Sequence, residues 1–182
     1  IVNRFTILLL LLLLALQIRA QRFIANNGEI AFFSEAPLED ISAVNKKVSA
    51  VFDLTNNDLV FQLKISDFIF PKALMQEHFN ENYLESDIYP QSTFVGSVIE
   101  NKNGQATVMG DLKIHGVSNR VKVDGIMIHR KETVSISAQF VISLEDYNIK
   151  IPKIVMYKVA EEIDIKVNIE LKTCIFNSFG HT

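Results

Sequence analysis

Residues 106–129 read ATVMGDLKIHGVSNRVKVDGIMIH. Ala106, Val108, Gly110, Leu112 and Ile114 alternate with Thr107, Met109, Asp111 and Lys113, until His115-Gly116 interrupts the run. Val121, Val123, Gly125, Met127 and His129 then alternate with Lys122, Asp124, Ile126 and Ile128. A period of two places successive side chains on opposite faces, which is the signature of a β-strand with two distinct sides.

The same reading extends outward from this stretch. Downstream, Arg130-Lys131-Glu132 forms a polar turn, and Val134, Ile136, Ala138, Phe140 and Ile142 alternate with Ser135, Ser137, Gln139 and Val141. The last run sets Ile163, Ile165, Val167, Ile169 and Leu171 against Asp164, Lys166, Asn168 and Glu170. Upstream, a strand over Phe94–Glu100 meets the hairpin signal Asn101-Lys102-Asn103-Gly104. Residues 46–66 read as another hairpin around the turn Asn56-Asn57-Asp58. Phe23 to Phe33 is a first strand, broken by Asn26-Asn27-Gly28.

One segment breaks the period. After Pro71, the apolar residues Leu74, Met75, Phe79 and Tyr83 recur with His78 at three- and four-residue spacings, which predicts an amphipathic helix over 72–85. The total is about eight strands and one helix, joined mostly by short connections. The fold class is therefore all-β. Consecutive hairpins of this kind close most easily into an antiparallel, up-and-down or lipocalin-like barrel, which also removes exposed strand edges.

The chain has 182 residues, 48% of them apolar and 21% charged, with a formal charge of −3. This suits one globular domain with its own core. A mildly acidic chain lacks the basic footprint of a nucleic-acid binder and the polybasic patch of a lipid-surface binder. The single cysteine, Cys174, excludes an internal disulfide and any multi-cysteine metal site, and reads as a small apolar residue. At the start, Asn3-Arg4 precedes an apolar run from Ile7 to Leu16, followed by Gln17-Ile18-Arg19-Ala20. This pattern predicts a signal peptide over 1–20, cut after Ala20, with a cut after Ala15 or an uncleaved anchor as the alternatives because Ile18 fits the small-x-small rule imperfectly, and a mature domain over 21–174. The run is shorter than the roughly 20 residues a membrane span requires. No integral membrane segment is then expected after cleavage.

Motifs for catalysis are missing. His78, His115, His129 and His181 lie apart with no partner at metal-ligand spacing, so no metal is expected. There is no G-x-S-x-G, no Cys–His pair at a recognisable spacing and no glycine-rich phosphate loop. Glu161-Glu162 stand beside a strand start, where neighbours point to opposite faces. No catalytic residue and no cofactor is assigned, and the balance moves from enzyme to binding protein.

Three stretches carry a family likeness. The first is the helix Leu74-Met75-Gln76-Glu77-His78-Phe79 with its exit Tyr89-Pro90 and Thr93-Phe94. The second is Gly110-Asp111-Leu112-Lys113-Ile114-His115-Gly116-Val117. The third is Phe140-Val141-Ile142-Ser143-Leu144-Glu145-Asp146-Tyr147. In this order and spacing they resemble the YceI-like family of bacterial exported proteins, over roughly residues 22–172. The resemblance implies a lipocalin-like barrel whose elongated apolar cavity takes a polyisoprenoid or other long-chain lipid, in a periplasmic or secreted protein. The family's third motif often carries an arginine two residues before its aspartate, where this chain has Leu144.

An isoprenoid or fatty chain offers few hydrogen bonds, so apolar burial must hold it, at about 25 cal/mol per Å². The candidate cavity-lining residues are Phe52, Phe61, Leu63, Phe79, Phe94, Phe140 and Ile165. The same residues would equally fill a solid core, since small barrels are often packed with side chains. Three readings follow: a lipid carrier with a hollow barrel, an interaction module with a filled one, and an enzyme built around His115, Asp146 or Tyr147. A homodimer is compatible with each.

Overall fold

The computed structural model describes residues 21–35, 40–150 and 160–174. The predicted leader therefore lies outside the described residues. Eight antiparallel strands form a closed barrel in which each strand pairs with its neighbours in sequence and the last pairs with the first. The strands are β1 (Arg22–Ser34), β2 (Ile41–Asp53), β3 (Asp58–Lys64), β4 (Gln91–Lys102), β5 (Gln105–Ile114), β6 (Val117–His129), β7 (Thr133–Ser143) and β8 (Glu162–Thr173). The expected all-β barrel with one short helix is what the chain forms.

The alternation read from the sequence sets the inward face. Leu59 and Leu63 on β3, Val123 and Met127 on β6, Val134 on β7 and Ile163, Val167 and Leu171 on β8 are all buried. The tightest turns follow their residues. Asn103 and Gly104 have φ of 52° and 87°, and His115 and Gly116 have 50° and 77°. Two-residue hairpin loops with both φ positive match the twist of their strands.

Three elements differ from the sequence reading. β2 begins at Ile41, five residues before Lys46. Its pairing with β1 slips between Ala25/Gly28 and Gly28/Ile30. The buried set consequently changes phase, from Ala43 and Asn45 to Val48, Ala50 and Phe52. A search for one unbroken period cannot see a strand that changes phase midway. β6 begins at Val117, directly after the turn, although Asn119 interrupts its apolar face. The helix divides into α1 (Ala73–His78) and a wider π turn over Phe79–Tyr83. The Leu84 amide donates to the Phe79 carbonyl at 2.9 Å, five residues back, and Glu85 at φ 44° ends the segment.

The two barrel ends are unlike. At one end short hairpin turns join the strands, and Phe23, Phe52, Leu59, Val134 and Leu171 fill the interior with at most 3% exposure. The other end carries the 65–90 excursion with α1, the His115-Gly116 turn and a 3-10 turn over Glu145–Tyr147. The bridge between Val44 and Ile69 docks the excursion onto β2.

Candidate functional site

Between the packed end and the excursion the barrel is hollow. A cavity of about 510 Å³ runs through its middle, within the roughly 300–1,000 Å³ usual for ligand pockets. Its wall is made of the alternating inward residues: Leu59, Phe61 and Leu63 from β3, Val108 and Leu112 from β5, and Ile163, Ile165 and Val167 from β8. Phe61, Phe94, Phe140 and Ile165 point inward yet stay half-buried, because they border the void.

Four rings cover the upper part. Phe32 stacks on Phe79 with centroids 5.4 Å apart and planes at 19°. Phe68 and Phe70 stand against Phe79 at 5.6 and 4.9 Å. All four line the cavity. The lower part is shaped by Phe94, whose Cζ lies over the paired Gly96 and Gly110. A Cβ on either glycine would sit 2.8 or 2.7 Å from that ring atom.

Polar groups in the wall are few and mostly satisfied by protein. Ser34 Oγ accepts a hydrogen bond from the Ala160 amide at 3.1 Å. Ser92 Oγ donates to the Lys113 carbonyl at 2.8 Å. Tyr83 reaches the cavity from the π turn, and burial raises its phenol above the ordinary value. Lys72 and His78 stand on the exposed rim beside α1. A surface of this kind holds hydrocarbon by excluding water and leaves polar selection to the rim.

Of the seven residues singled out in the sequence, Phe61, Leu63, Phe79, Phe94, Phe140 and Ile165 lie together on this wall. Phe52 does not. It is packed in the closed end, 3% exposed, with its ring 6.3 Å from that of Phe23. The phase change in β2 leaves Phe52 facing inward but below the void. The sequence reading did not single out Phe32, Phe68 and Phe70. Phe68 and Phe70 sit in the aperiodic link Phe68-Ile69-Phe70-Pro71, and their spacing of two was the one available signal.

His115, Asp146 and Tyr147 are not part of the wall. The His115 imidazole bridges two elements: Nε2 lies 2.8 Å from Glu85 Oε2, and Nδ1 lies 3.2 Å from the Tyr147 carbonyl. Tyr89 presses against its face at 4.5 Å. Asn119 Nδ2 donates to the Asp146 carbonyl at 2.6 Å. The glycine-to-valine motif around His115 thus ties the excursion and the 3-10 turn to the barrel. Burial raises the Tyr147 phenol, and the neighbouring Asp146 charge adds to this. Leu144 is 9% exposed and lines the cavity, so the place of the family's frequent arginine is apolar here. Among the described residues no three His, Cys, Asp or Glu side chains approach closely enough to hold a metal ion.

Comparison with known proteins agrees with this architecture. No curated protein matches the chain. Solved structures share the fold, among them the following three. BcnA of Burkholderia cenocepacia superposes with a TM-score of 0.70 at 18% identity, over 79% of this chain and 95% of that one. A polyisoprenoid binding domain from Saccharophagus degradans, implicated in plant cell wall breakdown, gives 0.71 at 10% identity, over 86% and 100%. The Campylobacter jejuni YCEI protein gives 0.58 at 20% identity, over 69% and 81%. The YceI-like domain model matches residues 22–171, nearly the whole barrel, and the chain is therefore a member of the YceI-like family.

Proposed function

We propose that this chain is an extracytoplasmic carrier that holds one long-chain apolar molecule, a polyisoprenoid or a lipid like it, inside the barrel. One observation carries the reading: a void of about 510 Å³ in the barrel interior walled by aliphatic and aromatic side chains. A barrel evolved only to fold would be packed, because empty volume in a core is destabilising. The ligand would contact Phe61, Leu63, Phe79, Phe94, Phe140 and Ile165, with Lys72 and His78 near its polar end. The Saccharophagus degradans domain, a polyisoprenoid binder of the same fold, supports the choice of ligand class. A filled interaction module fits the void poorly. An enzyme fits the wall poorly, since His115, Asp146 and Tyr147 lie away from it. Export rests on the leader read in residues 1–20, with the mature protein starting at Gln21.

The test is native mass spectrometry of the protein purified from a bacterial periplasm, with mass spectrometry of its organic extract. The expected result is one apolar molecule bound per chain, on a protein beginning at Gln21. A lipid-free protein that also fails to take up added polyprenol or fatty acid overturns the reading. The same spectrum reports whether the protein is a monomer or a homodimer.

A further inference from the structure

Over part of the barrel wall, β6 and β7 leave each other. β6 and β7 pair from Gly125↔Ala138 to His129↔Val134 and no further. Each continues toward the excursion in register with its other neighbour: β6 stays on β5 up to Val117↔Ile114, and β7 stays on β8 up to Ser143↔Glu162. Residues 119–124 and 139–143 therefore face each other without a ladder. At the far side of the gap, Asn119 Nδ2 donates to the Asp146 carbonyl and His115 meets the Tyr147 carbonyl, so the gap is closed above. The result is a window about 20 Å long, from six residues at 3.3 Å each. Val121 and Val123 on one side, and Phe140 and Ile142 on the other, belong to the cavity wall. Ile126 and Ser137, paired where the strands part, face outward and still border the cavity.

At the barrel end the four rings and the His115 tie narrow the approach beside the rim formed by Lys72, Leu74 and His78. Entry through the window breaks no backbone hydrogen bond and passes between the inward Val121, Val123, Phe140 and Ile142, with Lys122, Asp124 and Gln139 on the outer face. We propose that the β6–β7 window is a lateral portal by which an apolar chain enters and leaves the cavity. The portal rests on the reading of the cavity as a lipid site, and it adds the route.

The test uses the full chain carrying Cys174→Ser, Lys122→Cys and Val141→Cys. The last two positions face outward, opposite each other if the β6–β7 register is continued. A short bismaleimide joins them across the window. The control joins Ser135→Cys and Glu170→Cys across the paired β7–β8 wall, away from the window. The probe is cis-parinaric acid, followed by stopped-flow fluorescence and by equilibrium titration. The window cross-link is expected to slow both association and release at least tenfold and to leave the equilibrium affinity within twofold, whereas the control changes neither. Unchanged rates in the window cross-link overturn the portal while leaving the lipid site intact. Absence of probe binding by the unmodified protein overturns the lipid site, and the portal with it. Should the triple variant not fold, Asn119→Ala removes the Asp146 contact above the window and leaves His115 in place. It is expected to speed release at least threefold with the strand circular dichroism preserved, and unchanged release overturns the portal.

Discussion

The ring of Phe94 lies over a cross-strand pair of glycines, Gly96 and Gly110, whose backbones approach too closely for any side chain on that face. A methyl group at Gly110 would stand 2.6 Å from the Gly96 Cα and 2.7 Å from the Phe94 Cζ. The ring can turn away, but the backbone cannot, so the strands must spread. Gly110→Ala is expected to destabilise the fold by about 1–3 kcal/mol, the usual cost of overpacking, measured by urea unfolding. A second residue-scale effect concerns alkali. Burial and then the Asp146 charge raise the Tyr147 phenol in the folded state, so its ionised form is disfavoured there. Its contribution to stability is complete below the unfolded value of about 10 and is lost as pH rises through the folded one. The melting temperature should thus fall from about pH 9 to about pH 11, and less steeply in Tyr147→Phe. Tyr83 shifts in the same direction, so the slope should shrink without vanishing. Which residues face inward was legible in the alternation, as Phe61, Leu63, Phe140 and Ile165 attest. That Phe52 lies below the void was not, because period fixes a side of the strand and says nothing of depth along the barrel axis.

At the scale of elements, the excursion is the part least determined by local pattern. Its amphipathic spacing predicted one helix, yet only Ala73–His78 is regular and the next turn widens. A widened turn shifts the side chains after it around the axis, and here it accompanies the placing of Phe79 in the aromatic cover and Tyr83 at the cavity. Neither Phe68 nor Phe70 could be assigned from sequence, since their partner Phe32 comes from β1 and their contact with Phe79 depends on how the excursion folds back on itself. The β6–β7 gap was equally illegible: apart from Asn119 both strands alternate through it, and pairing between strands leaves no mark on either one alone. The excursion is held by His115, whose side chain is 10% exposed. His115→Ala removes both contacts and leaves the Tyr147 carbonyl without its side-chain partner, at a cost of about 1–3 kcal/mol. Amide exchange measured by mass spectrometry should accelerate in 84–90 and 144–149 and stay slow in the β7–β8 ladder. Uniform acceleration across all strands would show that the histidine supports the barrel itself and not only its cover.

At the scale of the molecule, every ladder except one joins strands adjacent in sequence, which is why a reading based on consecutive hairpins reached the architecture. The exception is the seam where β1 meets β8, with Phe23 opposite Thr173 and the Cys174 amide donating to the Arg22 carbonyl at 2.8 Å. That seam makes the barrel cyclic in space although the chain is linear. The point at which a linear chain opens such a ring is then a matter of genetics more than of physics. A circular permutant joining Cys174 to Arg22 through about five Gly/Ser residues, and opened between Asn103 and Gly104, should refold to the same strand content by circular dichroism and take up the same apolar probe. Seven of its eight ladders would remain local, and the β4–β5 hairpin would become the long-range closure in place of the seam.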